Sequence, residues 1–185
     1  MIPIDKYSRQ DLIAISYFLK NNMLEMIDSL YNKSPWKPDI GHGPITNDRY
    51  SARQEAWKIT LNDVKDNVII PILENIQNKH NIKESSDYKY NINEKQVIVQ
   101  FIKKYLYNEI SMEEKLCPWF GEVPYYVMIT DGNRYDKAAT WQYVFNIILT
   151  KLNNIYDDFK NDIKRNTEPL GEIPGDSVLS LFITI

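Results

Sequence analysis

The chain has 185 residues but only two histidines, His42 and His80, and one cysteine, Cys117. These are nearly its whole supply of side chains that titrate or attack near neutral pH. Acid–base, nucleophilic and transition-metal chemistry draw most heavily on those types. Here they do not cluster, and none falls in a recognisable catalytic or ligand spacing. A single cysteine excludes an intrachain disulfide and fits an intracellular setting best. There is no P-loop, no dinucleotide-binding glycine fingerprint and no zinc-finger spacing. No apolar stretch approaches the roughly 18 residues that a membrane span needs. The opening Met1-Ile2-Pro3-Ile4-Asp5-Lys6 lacks the basic-then-apolar form of a signal peptide. With a net charge of −3 and a pI near 5.5, no basic excess draws the chain to nucleic acid. The arginines, Arg9, Arg49, Arg53, Arg134 and Arg165, read as scattered.

What is present is material for shape and contact. A hydrophobic fraction of 43% and a charged fraction of 25% are ordinary for a globular protein, and the length suits one domain with a real core. The bias towards Asn, Ile, Lys and Tyr points to an AT-rich bacterial, phage or viral genome.

Apolar periodicity predicts a mainly α fold, a bundle of about four long helices with a short strand and an extended C-terminal arm. Ser8 caps a first helix running to Tyr31, with Leu12, Ile15, Leu19, Met23, Ile27 and Leu30 on one face. Ser34 to Pro44 is a Pro/Gly-rich loop. Asn47 or Asp48 opens a second helix to residue 78, with a kink or break expected just before Pro71. The tyrosine-bearing stretch 81–91 reads as an exposed connection. Asn93 opens a third helix to residue 110, and Ser111-Met112-Glu113-Glu114 reads as a capping box for one further turn, stopped by Pro118. Pro124 to Thr130 is the strand, and a fourth helix covers 135–164. The domain is placed at 1–165, with linker and apolar arm at 166–185. No internal repeat or low-complexity tract is visible.

Asp39, His42 and Asp48 fall short of a metal motif, and Asp131-Gly132-Asn133-Arg134-Tyr135-Asp136 lacks the glycine and glutamate of a calcium loop. Asp131, Asn133 and Asp136 suit capping and the helix dipole instead. Cys117, between Leu116 and Pro118-Trp119, reads as a small buried hydrophobe. No catalytic, cofactor-binding or metal residue is assigned, and no cofactor is expected.

The candidate interface residues lie on two aromatic loops and the tail. They are Trp36, Trp119, Phe120 and Tyr125, with Val178, Leu179, Leu181, Phe182, Ile183 and Ile185. Aromatics on rigid loops give large contact area at low entropic cost. The alternative for Trp36 and Trp119 is that they cover the ends of the helical core. The uncharged tail pairs either with a strand of its own domain or with a neighbouring subunit by strand addition.

In the order of its helices, 8–31, 47–78, 93–110 and 135–164, followed by the arm 166–185, the chain resembles the head-to-tail adaptor proteins of tailed bacteriophages. That resemblance implies a non-enzymatic assembly protein forming a ring of identical subunits in the virion, against a portal or neighbouring ring protein. Its contact with DNA would be non-specific proximity only, with no membrane partner. The alternatives are an inhibitor or immunity protein presenting carboxylates such as Asp157, Asp158 and Asp162, and an enzyme of unrecognised type. Outside a virion, the cytoplasm is the expected location.

Overall fold

A computed structural model describes residues 3–37, 44–79, 88–119 and 132–167. Within them the chain forms four long helices and no strand: α1 over 9–31, α2 over 44–79, α3 over 92–114 and α4 over Gly132–Thr167. A 3-10 turn at Ile4–Lys6 precedes α1. The mainly helical class is as expected, and α4 takes in Asn166 and Thr167, which the sequence reading gave to the linker. The expected strand at 124–130 and the arm beyond residue 167 lie outside the described residues, as do His42 and His80.

Local chemistry sets the helix starts. Ser8 Oγ accepts from the Asp11 N–H at 3.2 Å while the Asp11 carboxylate accepts from the Ser8 N–H at 3.0 Å. This reciprocal box satisfies donors that a helix start leaves unpaired. α3 begins with a box of the same kind between Asn91 and Glu94, both bonds 3.0 Å. The cap is therefore Asn91 rather than Asn93, because the reciprocal Asn91–Glu94 bonds start the helix two residues earlier. α2 begins at Pro44, earlier than Asn47; proline suits the first helical position, where no intrahelical N–H bond is needed.

Neither expected interruption ends a helix. α3 runs unbroken through Ser111 to Glu114, since burial of Leu106 and Ile110 continues its stripe. Glu113 is no capping residue; it is buried and accepts from Asn67 Nδ2 at 2.9 Å. Pro71 does not break α2 either. Val64–Ile69 takes the wider π-helical pattern, and the α-helix resumes at Ile70. A proline ring crowds the carbonyl four residues back, and a widened turn ahead of it relieves that contact.

The helices form two similar hairpins, α1–α2 and α3–α4, so the reading that the chain has no internal repeat is corrected. Adding 83 to a residue of the first hairpin's opening half (8 to 91) gives its counterpart in the second. Both capping boxes obey this shift, and so do the starts of π-helical segments Leu19–Leu24 and Ile102–Leu106. The same shift pairs Phe18 with Phe101, Met23 with Leu106, Ile27 with Ile110, and Pro35-Trp36 with Pro118-Trp119. A shift of 84 (57 to 141) pairs Trp57 with Trp141, Leu61 with Phe145, Val64 with Ile148 and Val68 with Leu152. Apart from the two Pro-Trp turns, every residue of these pairs is buried.

Each hairpin is closed by a bond of the same kind, the acceptor in the second hairpin falling one residue beyond the counterpart of Leu30. Trp57 Nε1 donates to the Leu30 carbonyl at 2.9 Å, and Trp141 Nε1 donates to the Glu114 carbonyl at 2.8 Å. Each indole thereby ties the second helix of its hairpin to a carbonyl at the end of the first; the Leu30 carbonyl also accepts from the Lys33 N–H at 2.8 Å. α1 is antiparallel to α2, with Asp28 and Lys65 3.0 Å apart. α3 is antiparallel to α4, with Lys95 and Asp162 2.6 Å apart. α2 and α4 run side by side in one direction, since Arg49 and Arg53 meet Asp136 and Glu55 meets Lys137. The hairpins are thus related by an approximate two-fold axis along the bundle. The ends of α1 and α3 share one end of it with the starts of α2 and α4.

Candidate functional site

Both Pro-Trp turns sit at that shared end. Trp36 lies edge-on to Trp57, with ring centres 6.1 Å apart and planes at 72°. Trp119 lies edge-on to Trp141 at 5.9 Å and 77°. A cation covers each outer indole: Arg53 stands 5.4 Å over Trp36 and Lys137 stands 5.9 Å over Trp119. Arg53 precedes Trp57 by four residues and Lys137 precedes Trp141 by four, the spacing that shares a helix face. A cation over an indole is attracted by the ring's negative face. Both outer indoles are half-buried against the core. This is the core-covering role, and it leaves one side of each ring at the bundle surface. Phe120 and Tyr125, and the tail residues Val178, Leu179, Leu181, Phe182, Ile183 and Ile185, lie outside the described residues.

Between the hairpins at this end is an ion triad that sequence reading missed. The Asp136 side chain is 0% exposed. It accepts from Arg49 Nε at 2.5 Å and Nη2 at 3.1 Å, and from Arg53 Nε at 3.0 Å and Nη2 at 2.5 Å. Burial pushes its carboxyl upward, but the bonds from Arg49 and Arg53 outweigh this and hold it below the usual range. Asp136 is therefore an anchor for two helices rather than a dipole partner of its own, and Arg49 and Arg53 are not scattered in space. Their spacing of four residues was the available signal; their acceptor is far along the chain.

The other end is tied by Glu94, which is 5% exposed. Tyr88 Oη donates to its Oε1 at 2.6 Å and Gln10 Nε2 at 2.7 Å, while the Asn91 N–H donates to Oε2. Tyr17 stacks on Tyr88 at 4.1 Å, and Tyr90 Oη donates to Asn22. Tyr88 and Tyr90 are thus packed against α1, whereas Lys89 and Asn91 are exposed as expected of this connection and 81–87 lie outside the described residues. Burial raises the Glu94 carboxyl, and the bonds from Tyr88, Asn91 and Gln10 bring it net below its ordinary value. Asp162 of the acidic trio is held by Lys95.

Glu94 and Asp136 give the acid stability its sign. Both carboxyls titrate lower in the folded chain than in the unfolded one, whose value is about 4. Their contribution is therefore complete above that range and is lost as pH falls through the folded values. The melting temperature is expected to be flat near neutrality and to drop below about pH 4. Glu94→Gln is expected to lower the neutral plateau and shrink the acid limb. An unchanged limb in that variant would remove Glu94 from the account.

A cleft of about 380 Å³ lies where α2 passes α3, with Ile4, Val68, Pro71 and Ile72 as its apolar walls and Asn67 and Glu109 among its polar ones. Beside it, burial and then the nearby Glu113 raise the Asp63 carboxyl. Among the described residues no three His, Cys, Asp or Glu side chains gather as a metal site. Cys117 is buried in the core, as its sequence context predicts.

The surface feature of the molecule is again at the Pro-Trp end. The large apolar side chains that stand most exposed among the described residues are Leu116 at 68%, Met112 at 61%, Tyr135 at 56% and Tyr143 at 46%. Met112 lies in the last turn of α3 and Leu116 two residues beyond its end, while Tyr135 lies in the first turn of α4 and Tyr143 about three turns from its start, its ring 5.4 Å from that of Trp36. No protein-family model, curated protein or solved structure matches the chain. No described helix is long and apolar enough to cross a membrane.

Proposed function

We infer that the chain is a non-enzymatic assembly protein that works through protein–protein contacts at the Pro-Trp end of the bundle. The observation that carries this reading is the exposure of Met112, Leu116 and Tyr135, each more than half open to water, on the segments that adjoin the Pro-Trp turns, together with the part-exposed Tyr143 whose ring lies 5.4 Å from that of Trp36. Exposed apolar side chains collected in one region mark contact surfaces more often than single scattered ones do. Two half-buried indoles on rigid Pro-Trp turns flank them, and such aromatics dominate the energetics of interfaces.

The specific form of this reading is a head-to-tail ring subunit of a tailed phage. Its apolar arm, Val178 to Ile185, grips a neighbour, and its mildly acidic body suits DNA passing without adhesion. Light scattering of the full-length chain over a range of concentrations is the test. Growth into a closed oligomer is expected. Removing residues 177–185, or the pair Met112→Lys and Leu116→Lys, is expected to reduce that mass with no loss of helical circular dichroism. Collapse of the helices on removing the arm would make the arm part of the core and sink its role as a grip. A wild-type chain that stays single at every concentration, with and without a portal ring, would overturn the assembly reading.

A further inference from the structure

We propose that the two hairpins are copies of one self-pairing unit, and that the Arg49–Asp136–Arg53 triad is the address that matches unlike hairpins, which a second copy of this chain can supply as well as the chain itself. The proposal does not rest on the function inferred above.

A two-fold interface is isologous: when a residue of one unit meets a position of the other, the reciprocal pair meets too. The buried apolar positions of α2 and α4 keep this equivalence. Trp57 and Trp141, Leu61 and Phe145, and Val64 and Ile148 are corresponding buried positions, apolar in both hairpins, and the small buried Ala56 corresponds to Thr140. Such a surface does not distinguish the first hairpin from the second. The triad does. The counterpart of Asp136 in α2 is Ala52, and the counterparts of Arg49 and Arg53 in α4 are Asn133 and Lys137.

Three pairings are open to two such hairpins. Two first hairpins would bring Arg49 and Arg53 against alanine, with no acceptor. Two second hairpins would bury two Asp136 carboxylates with one lysine each in place of two forked guanidiniums, and the two cations are not equivalent partners for a carboxylate. Only the unlike pair satisfies all the charges, so pairing specificity is carried by what the wrong pairs leave unmatched. Within a chain the unlike pair forms at the local concentration set by the connection. Between chains the same surfaces are available through hairpin exchange. The connection 80–87, at about 3.3 Å for each residue, spans at most about 26 Å.

Two full-length chains with complementary charge reversals test this. One carries Asp136→Arg and the other Arg49→Asp with Arg53→Asp. Each alone places like charges at the triad, so each is expected to lose its cooperative melt at the wild-type temperature. Refolded together, they are expected to recover that melt as a one-to-one dimer of about twice the chain mass, because each first hairpin finds its acceptor or donor only on the other chain. Both chains are built on Leu116→Lys, so that association through the Pro-Trp end is not counted. Single-chain masses with no recovered melt on mixing would overturn the exchange. A second variant tests the copy relation within one chain. It moves the triad to the reciprocal positions with Ala52→Asp, Asn133→Arg, Lys137→Arg, Asp136→Ala, Arg49→Asn and Arg53→Lys. It is expected to melt near the wild type with the same mass. Failure to recover stability beyond that of Asp136→Ala alone would overturn the two-fold equivalence.

Discussion

Replacing Arg49 and Arg53 together with methionine is expected to cost about 3–5 kcal/mol at neutral pH, because it strands the Asp136 carboxylate inside the bundle. Asp136→Ala is expected to cost clearly less. The difference follows from exposure. The Asp136 side chain has no access to water, whereas the side chains of Arg49 and Arg53 are 50% and 27% exposed and can rehydrate when their acceptor is gone. The pH dependence separates the two cases. In the wild type the carboxyl is held below its unfolded value, so its contribution is lost on acidification. In the double methionine variant burial alone acts, and the folded carboxyl titrates above the unfolded one. The penalty is then largest near neutrality and is relieved as pH falls through that raised value. Denaturant unfolding of wild type and both variants at pH 7 and pH 5 checks this. Equal costs for Asp136→Ala and the double variant at pH 7, with no relief at pH 5, would mean that the triad is solvated and holds nothing.

Sequence periodicity made the four helices legible because their apolar stripes are long and their stop signals local. Leu12 to Leu30 and Trp141 to Ile163 recur at helical spacing whatever the tertiary context. Boundaries failed where two local signals competed. At Ser111 a capping pattern stood inside a helix whose stripe ran on through Ile110, and burial of Glu113 against Asn67 won. At Pro71 the helix does not break, and the irregularity expected just before the proline takes the form of a π-helical stretch.

The candidate site was half legible. The Pro-Trp turns were visible as aromatic loops, and covering the ends of the helical core was one of two readings for Trp36 and Trp119; that they do so over Trp57 and Trp141 came only with the fold. The triad was not visible, because an arginine pair at i and i+4 on a polar helix face has many solvated equivalents. Only the packing of α2 on α4 supplies its carboxylate. The duplication was hidden for a different reason. What the copies share is burial and side-chain class, as with Leu61 and Phe145 or Met23 and Leu106. The identities that remain, such as Phe18 with Phe101 and Trp36 with Trp119, are isolated along the chain. The shift between copies also changes from 83 to 84 within the loops.

Trp57→Ala and Trp141→Ala are each expected to destabilise the chain by about 3–5 kcal/mol, the range for deleting a buried large aromatic. Both indoles are essentially inaccessible, at 2% and 1% exposure. Each also closes its hairpin by an N–H bond to a helix-terminal carbonyl, Leu30 or Glu114. Phenylalanine at either site keeps most of the ring and removes that bond, and is expected to cost about 1 kcal/mol for the bond, with a further increment for the smaller ring. If the hairpins are energetic equivalents, the two alanine variants should agree within the scatter of such measurements. The outer shells differ in one respect that sets the direction of any gap. Trp57 meets Trp36 of its own hairpin and Tyr143 of the other, whereas Trp141 meets Trp119 and Phe145, both within its own hairpin. Trp57→Ala therefore loosens the contact between hairpins as well as one hairpin's closure, and it should be the costlier of the two. Denaturant unfolding of the four variants decides the matter. A much larger loss at Trp141 would show that the second hairpin alone carries the fold, and that the likeness between the copies is one of shape without shared energetics.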